Sequence, residues 1–536
     1  MACWRASKHL AQSGCAEDTQ RDKQPKGAAA STRTLHRKMD EWNVLSATAT
    51  QLGQLLRGGH TNSVDIVKAY LAQIDRHNKA GLKLHAIISV NAETALAQAA
   101  TRDNERSEGK VRSPLHGIPI IVKDAIITSE SLGLPTTVGA FAFKDTYGLK
   151  NASIIDILLE HGMIILAKAS LTEFCGLKAT CITAGWSAIN GQTQSAYIEG
   201  GFRSDDLFIG RSGPGGSSSG SAVGVSAGFA PLSLGTETSG SVCMPANRAG
   251  LYSITASRGS VPIEGIFRLS KDFDKLGAMA KCPEDLGLLM PLLNGSHLEP
   301  VTWSDISVGF VDPIVWDAFG FQKSQDKNIE SQILERYEWA KAEITRRGGR
   351  VVYPVGLPTM ESLSFEGKSV NYSVAFHEFP SLLEDYCSLL VDPEVTSVPE
   401  LIQFNEQHAS SAMPQPHTDQ TDLKETLKST MTEETATAAK AYAQRLAGPD
   451  GIDAALQSSR INLVIGPGDC AICAVAALAG YPTAMVPLDR LEGPGGLGQP
   501  QGLMLIASAG GEAQILAFMQ LWKQIVGDWK IPPLLF

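Results

Sequence analysis

The sequence lacks the surplus of positive charge that a nucleic-acid surface needs. Its 536 residues carry 46 Lys and Arg against 56 Asp and Glu, a formal net charge of −10, whereas phosphate binding calls for clustered basic side chains. It also lacks an unbroken apolar stretch of about 20 residues, the length a membrane helix requires. The one long uncharged apolar run near the C-terminus, 471–488, is interrupted by Gly480, Pro482 and Pro487, so it reads as a buried helix, a turn and a core strand. No apolar core of a secretory signal opens the chain, and Glu17, Asp18 and Asp22 among the early basic residues argue against a mitochondrial leader. Nine scattered cysteines do not make a disulfide framework, and they point to a reducing compartment such as the cytoplasm. Cys470 and Cys473 have CxxC spacing but no second pair or neighbouring His. Their setting, AICAVAALAG, is apolar, and they read as two small core residues.

What the chain does have is enough apolar content for a large core, with 43% hydrophobic and 19% charged residues. Residues 1–40 are polar and mixed in charge, the composition of a disordered extension. No Pro/Gly/Ser linker divides the remainder, so 41–536 reads as one catalytic domain. Helix and strand patterns alternate along it. Helices are expected over 63–74, 92–108, 154–161, 328–347 and 511–526, and strands over 86–90, 116–124, 163–167, 306–311, 351–355, 461–465, 483–486 and 503–506. The run HGIPIIVKD, 116–124, is almost wholly apolar, as in a strand buried on both faces. The alternation implies an α/β fold, a large mixed sheet covered by helices on both faces. The Thr/Gln/Ser-rich region 395–437 is expected to be a surface excursion.

Two features stand out chemically. Lys123 ends the apolar run, where desolvation would lower its pKa and leave it able to act as a base. Pairing with Asp124 is the blander alternative. The second feature is the stretch 213–250, in which two Gly/Ser-rich loops flank a small-residue helix and a short strand. A helix of about 10 residues advances roughly 15 Å, and an extended return of about 5 residues covers roughly 17 Å. The loops around Ser217 and Ser241 can therefore meet. Gly216 to Gly220 also matches G-x-S-x-G, which would make Ser218 a nucleophile, but it follows a poor strand, and His297, His377, His408 and His417 lie in no catalytic setting. No Lys follows the glycines, so the phosphate-loop pattern fails.

The combination of Lys123 after an apolar strand, Gly215-Gly216-Ser217-Ser218 and Gly235-Thr236-Glu237-Thr238-Ser239-Gly240-Ser241 resembles the amidase signature family, with the serines 24 positions apart. The similarity runs from about Ser63 through the C-terminal AGYPTAMVPL and GLMLIASAGGEA segments, in wording closest to fungal-type members that often accompany specialised-metabolite pathways. The resemblance implies a Ser–cis-Ser–Lys triad. Ser241 would be the nucleophile that forms an acyl-enzyme, Ser217 a relay following a strained cis peptide bond, and Lys123 the neutral base. Backbone N–H groups of Thr238, Ser239, Gly240 and Ser241 would form the oxyanion hole beside Ser217. It implies a small-molecule amide substrate, with no metal or organic cofactor, no nucleic acid and no membrane span; a homodimer is allowed for. By the same analogy, 173–191 lines the acyl pocket. The sequence departs from the family's usual Asp at Glu237, Gly at Ser239, Arg at Cys243, Asn at Ser170 and Leu-Lys-Pro-Thr at 254–257. Those departures bear on efficiency rather than reaction type. Two other readings stand beside hydrolysis: an amide-forming or ammonia-transferring member that needs a partner, and a weakened paralogue that only binds.

Overall fold

Short apolar runs separated by helices assemble into an eleven-stranded mixed sheet. The computed structural model describes residues 42–180, 182–204, 210–298, 300–316, 327–493 and 497–536. The chain divides into the units Met1–Asn43 and Val44–Phe536, and the sheet with its helices lies within the second. The extension expected over 1–40 lies outside the described residues.

The strands are β1 (Ile87–Val90), β2 (Pro119–Lys123), β3 (Ile164–Ala169), β4 (Trp186–Ser187), β5 (Gly191–Gln192), β6 (Leu232–Glu237), β7 (Tyr252–Thr255), β8 (Lys275–Ala280), β9 (Ser307–Phe310), β10 (Arg350–Val352), β11 (Ser364–Phe365), β12 (Lys368–Ser369), β13 (Leu463–Pro467), β14 (Thr483–Arg490) and β15 (Pro500–Ile506). The large sheet runs β1-β3-β2-β6-β8-β7-β14-β15-β13-β9-β10. β2 is parallel to both β3 and β6, whereas β8 is antiparallel to β6 and β7. β2 and β6 therefore end side by side, and the loops that leave them open at one end of the sheet.

Every residue of the helix Ser219–Ser226 is buried, and it packs against β2, β3, β6 and β8. Small side chains permit this. A Cβ at Gly220 would collide with the Ala86 carbonyl and the Ser170 backbone, and one at Gly224 with the Ile121 side chain. The helix therefore has no solvent-exposed face, and its Ser221 and Ser226 hydroxyls donate to the Leu234 and Val223 carbonyls. The expected strands and helices otherwise lie close to their places, while β7, β8 and the helices Pro283–Asn294 and Val370–Cys387 were not foreseen. The run 471–488 becomes the buried helix Ile472–Ala479, a turn at Gly480 with φ +76°, and β14. No described helix is long and apolar enough to cross a membrane.

Region 395–437, expected as a surface excursion, does keep many residues exposed, but it is helical and packed rather than irregular. It folds into the helices Val398–Gln407, Ala409–Ala412 and Thr421–Thr426 and enters Glu433–Ala447. Val398, Leu401 and Phe404 are buried along one face of the first. Much of the polarity there consists of caps: Ser397 accepts from Glu400 N–H, and Thr432 from Thr435 N–H. Such residues end helices as readily as they fill loops.

Candidate active site

Lys123 is the last residue of β2 and fully buried. Its ammonium lies 2.7 Å from Ser217 Oγ and 3.1 Å from the Thr236 carbonyl, donating to both. Burial lowers its pKa from the ordinary lysine value, while the neighbouring Cys175, Asp274 and Glu237 oppose the shift. Asp124 is not its partner. That carboxylate turns towards Lys168, 3.4 Å away, and accepts from the Thr137 N–H at 3.0 Å. Lys168, also buried, is pushed down to about 8 by desolvation, and its ammonium donates to Thr136 Oγ1 at 2.7 Å.

The Gly/Ser loop is clamped from two sides. Thr172 N–H donates to the Ser217 carbonyl and Thr172 Oγ1 to the Gly216 carbonyl, each at 3.1 Å. Ser218 N–H donates to the Ser241 carbonyl at 3.0 Å, which brings the two serine loops together. Gly216 has φ +43°, and a Cβ there would strike Pro245; only glycine fits so close to the next helix. The Ser218 hydroxyl is buried and donates to the Thr236 carbonyl at 3.1 Å, so the G-x-S-x-G alternative has no exposed nucleophile. The expected cis bond before Ser217 is also corrected. Among the described residues the cis bonds are Tyr353–Pro354 and Gln415–Pro416. At the Ser217 loop the left-handed Gly216 makes the turn, without the ~3 kcal/mol that a non-proline cis bond costs.

The loop after β6 is closed by the last residue of that strand. One carboxylate oxygen of Glu237 accepts from Val242 N–H at 2.8 Å and Cys243 N–H at 3.0 Å. The other accepts from Thr483 Oγ1 at 2.6 Å. Glu237 thus satisfies the first N–H groups of the helix Cys243–Arg248, a favoured place for negative charge. Thr238 is held separately by its hydroxyl, which donates to Asp274. Between these anchors, the N–H groups of Thr238, Ser239, Gly240 and Ser241 make no hydrogen bond among the described residues. Gly240 sits at φ +84°. Ser241 is partly exposed, and its hydroxyl carries no hydrogen bond among those residues. Unpaired donors beside an accessible hydroxyl are what an oxyanion site requires.

Several contributors escaped the sequence. Glu173 and Lys178 form a buried ion pair at 2.7 Å, and Lys178 also donates to the Ala412 carbonyl at 2.6 Å. Trp186 stacks on His417 at 4.1 Å. The segment 173–191 and the 398–426 helices therefore form one packed unit beside the site. Cys175, at φ +54°, puts its sulfur 4.0 Å from Thr236 Oγ1. The SxxEFC wording around 170–175 was the available signal, but nothing in it marked a thiol near Lys123. Cys470 and Cys473 are buried in the core, as their apolar setting implied, and burial pushes the Cys473 thiol up to about 12.

Residues 65–516 match the family model described as Amidase. The chain belongs to the amidase family. Amidases of this family hydrolyse amide carbon–nitrogen bonds, and this chain is such a hydrolase. It is 27% identical over 469 residues to a probable amidase of Arabidopsis thaliana, covering 86% of each. It is 26% identical to a putative amidase of Schizosaccharomyces pombe, covering 88% of this chain and 84% of that one. Among solved structures, the peptide amidase of Stenotrophomonas maltophilia superimposes with a TM-score of 0.78 at 27% identity, covering 91% of this chain and 98% of that one.

Proposed function

We propose that this amidase, a single catalytic domain over 41–536, hydrolyses a small-molecule carboxylic amide to an acid and an amine or ammonia. The supporting observation is the 2.7 Å contact between the buried Lys123 Nζ and Ser217 Oγ, at a loop whose backbone reaches Ser241. Lys123, neutral by desolvation, takes the Ser217 proton as Ser217 takes that of Ser241. The Ser241 oxygen then attacks the amide carbonyl. The N–H groups of Thr238 to Ser241 receive the developing negative charge, where each well-aimed donor contributes about 3 kcal/mol. The proton passes back through Ser217 to the departing nitrogen. Water, deprotonated along the same route, attacks the Ser241 ester and frees the acid. No step calls for a metal or organic cofactor.

The test is a panel of small carboxamides, esters and C-terminal peptide amides, the last prompted by the Stenotrophomonas enzyme. Acyl or fluorophosphonate adducts would be read by mass spectrometry. An adduct on Ser241 and its loss in Ser241→Ala are expected; turnover that survives that substitution overturns the assignment. A second reading draws on one component of the glutamyl-tRNA(Gln) amidotransferase of Chloroflexus aggregans, 33% identical over 260 residues but covering 48% of each chain. Ammonia transfer would then need a partner protein, and hydrolysis by the purified chain alone separates the two.

A further inference from the structure

A cleft of about 470 Å³ opens at the other end of the sheet. Strand pairing fixes its place. Gly235 pairs with Gly277, which pairs with Thr255, so these mark the Lys123 end; Tyr252 pairs with Ala280, which pairs with Leu232, at the far end. Tyr252, the Pro487–Arg490 end of β14 and the chain at 526–536 line the cleft, and its size is that of a small-molecule site. Its chemistry is lopsided. Trp529, Pro487 and Ile531 offer apolar surface, with the buried Tyr252 behind them, while Arg490 and Lys530 bring two cations. The acids beside them lie against other cations. Asp489 pairs with Arg336 at 2.7 Å, and Asp528 is 3.6 Å from Lys523, which also pairs with Glu284 at 2.9 Å. Neither Arg490 nor Lys530 has an ion-pair partner among the described residues. The Tyr252 hydroxyl and the Trp529 indole N–H are buried without a partner among them as well. Two cations without an ion pair thus stand over the apolar wall of one cleft.

We propose that this cleft binds a small aromatic carboxylate. The ring packs against Trp529 and Pro487, and the carboxylate pairs with Arg490, whose fork suits two oxygens, and with Lys530. The site is separate from the Ser241 chemistry and turns nothing over. Calorimetric titration of the full chain with 2-naphthoate tests it. Saturable one-to-one binding is expected, at least tenfold weaker in Arg490→Gln/Lys530→Gln and at least tenfold weaker for the neutral 2-naphthylmethanol. Both replaced side chains are solvent-facing, so the double variant should keep the parent's circular dichroism and amide turnover. No saturable binding to the parent, equal affinity in the double variant, or equal affinity for the neutral analogue would each overturn the proposal.

Discussion

Lys123 illustrates how much one side chain depends on its surroundings. A lysine without a carboxylate partner is costly to bury charged, and the lowered pKa follows from that desolvation. Lys123→Ala should abolish hydrolysis near neutral pH while the circular dichroism stays native. In the parent, kcat/KM should rise with pH as the amine loses its proton, with a midpoint below the ordinary lysine value of about 10.4, and fall away on the acid side. A pH–rate profile that is flat, or centred at the ordinary value, would remove Lys123 as the base. Glu237 acts at one remove, by shaping the loop. Glu237→Ala leaves the Val242 and Cys243 N–H groups and Thr483 Oγ1 without their acceptor. It should lower kcat about 10- to 100-fold, the usual cost of losing a supporting group, with KM little changed. A loss of thermal stability with kcat intact would make Glu237 merely structural. The motifs made Lys123, Ser217 and Ser241 legible because they lie in two short stretches. Asp274, Thr483 and Lys168 were not, because each arrives from a distant strand or loop and reads locally as an ordinary polar residue.

At the scale of elements, the 398–426 helices show that polar sequence need not mean loop, since their serines and threonines cap and their sparse Val, Leu and Phe do the packing. Their docking has a pH signature. His417 lies on Trp186, with the Lys178 ammonium 5.3 Å from the same ring. Burial, and then Lys178, push its pKa down to about 4, against about 6.5 in an unfolded chain. Between those values the unfolded chain holds a proton that the folded one lacks, so stability should fall as the pH drops from about 6.5 towards 4. His417→Phe keeps the stack and removes the titration. Denaturant unfolding at pH 7 and pH 4.5 should show a smaller acid loss in the variant than in the parent; equal losses would deny His417 that role.

For the whole molecule, the α/β alternation gave the sheet and most of its strands, because long apolar runs bounded by turns are the strongest local signal. β7 and β8 were missed. YSIT and KLGAMA interrupt their apolar residues with hydroxyl, glycine and lysine ones, and only their place between β6 and β14 makes every position buried. They matter because β8 carries Lys275 and follows Asp274, beside the loop that holds Ser241. All the groups that meet at this site come from one chain. The purified protein should therefore hydrolyse its amide with no second protein present, and activity that appears only on adding a partner would favour ammonia transfer.

The Glu237 bridge to Val242 and Cys243 makes the loop 238–241 a closed ring of fixed circumference. One added residue would lengthen it by about 3.8 Å, more than a hydrogen bond can stretch, and would turn every donor after it away from a common point. Variation inside that ring is thus confined to side-chain identity, as at Ser239, while insertions belong to the outer surface.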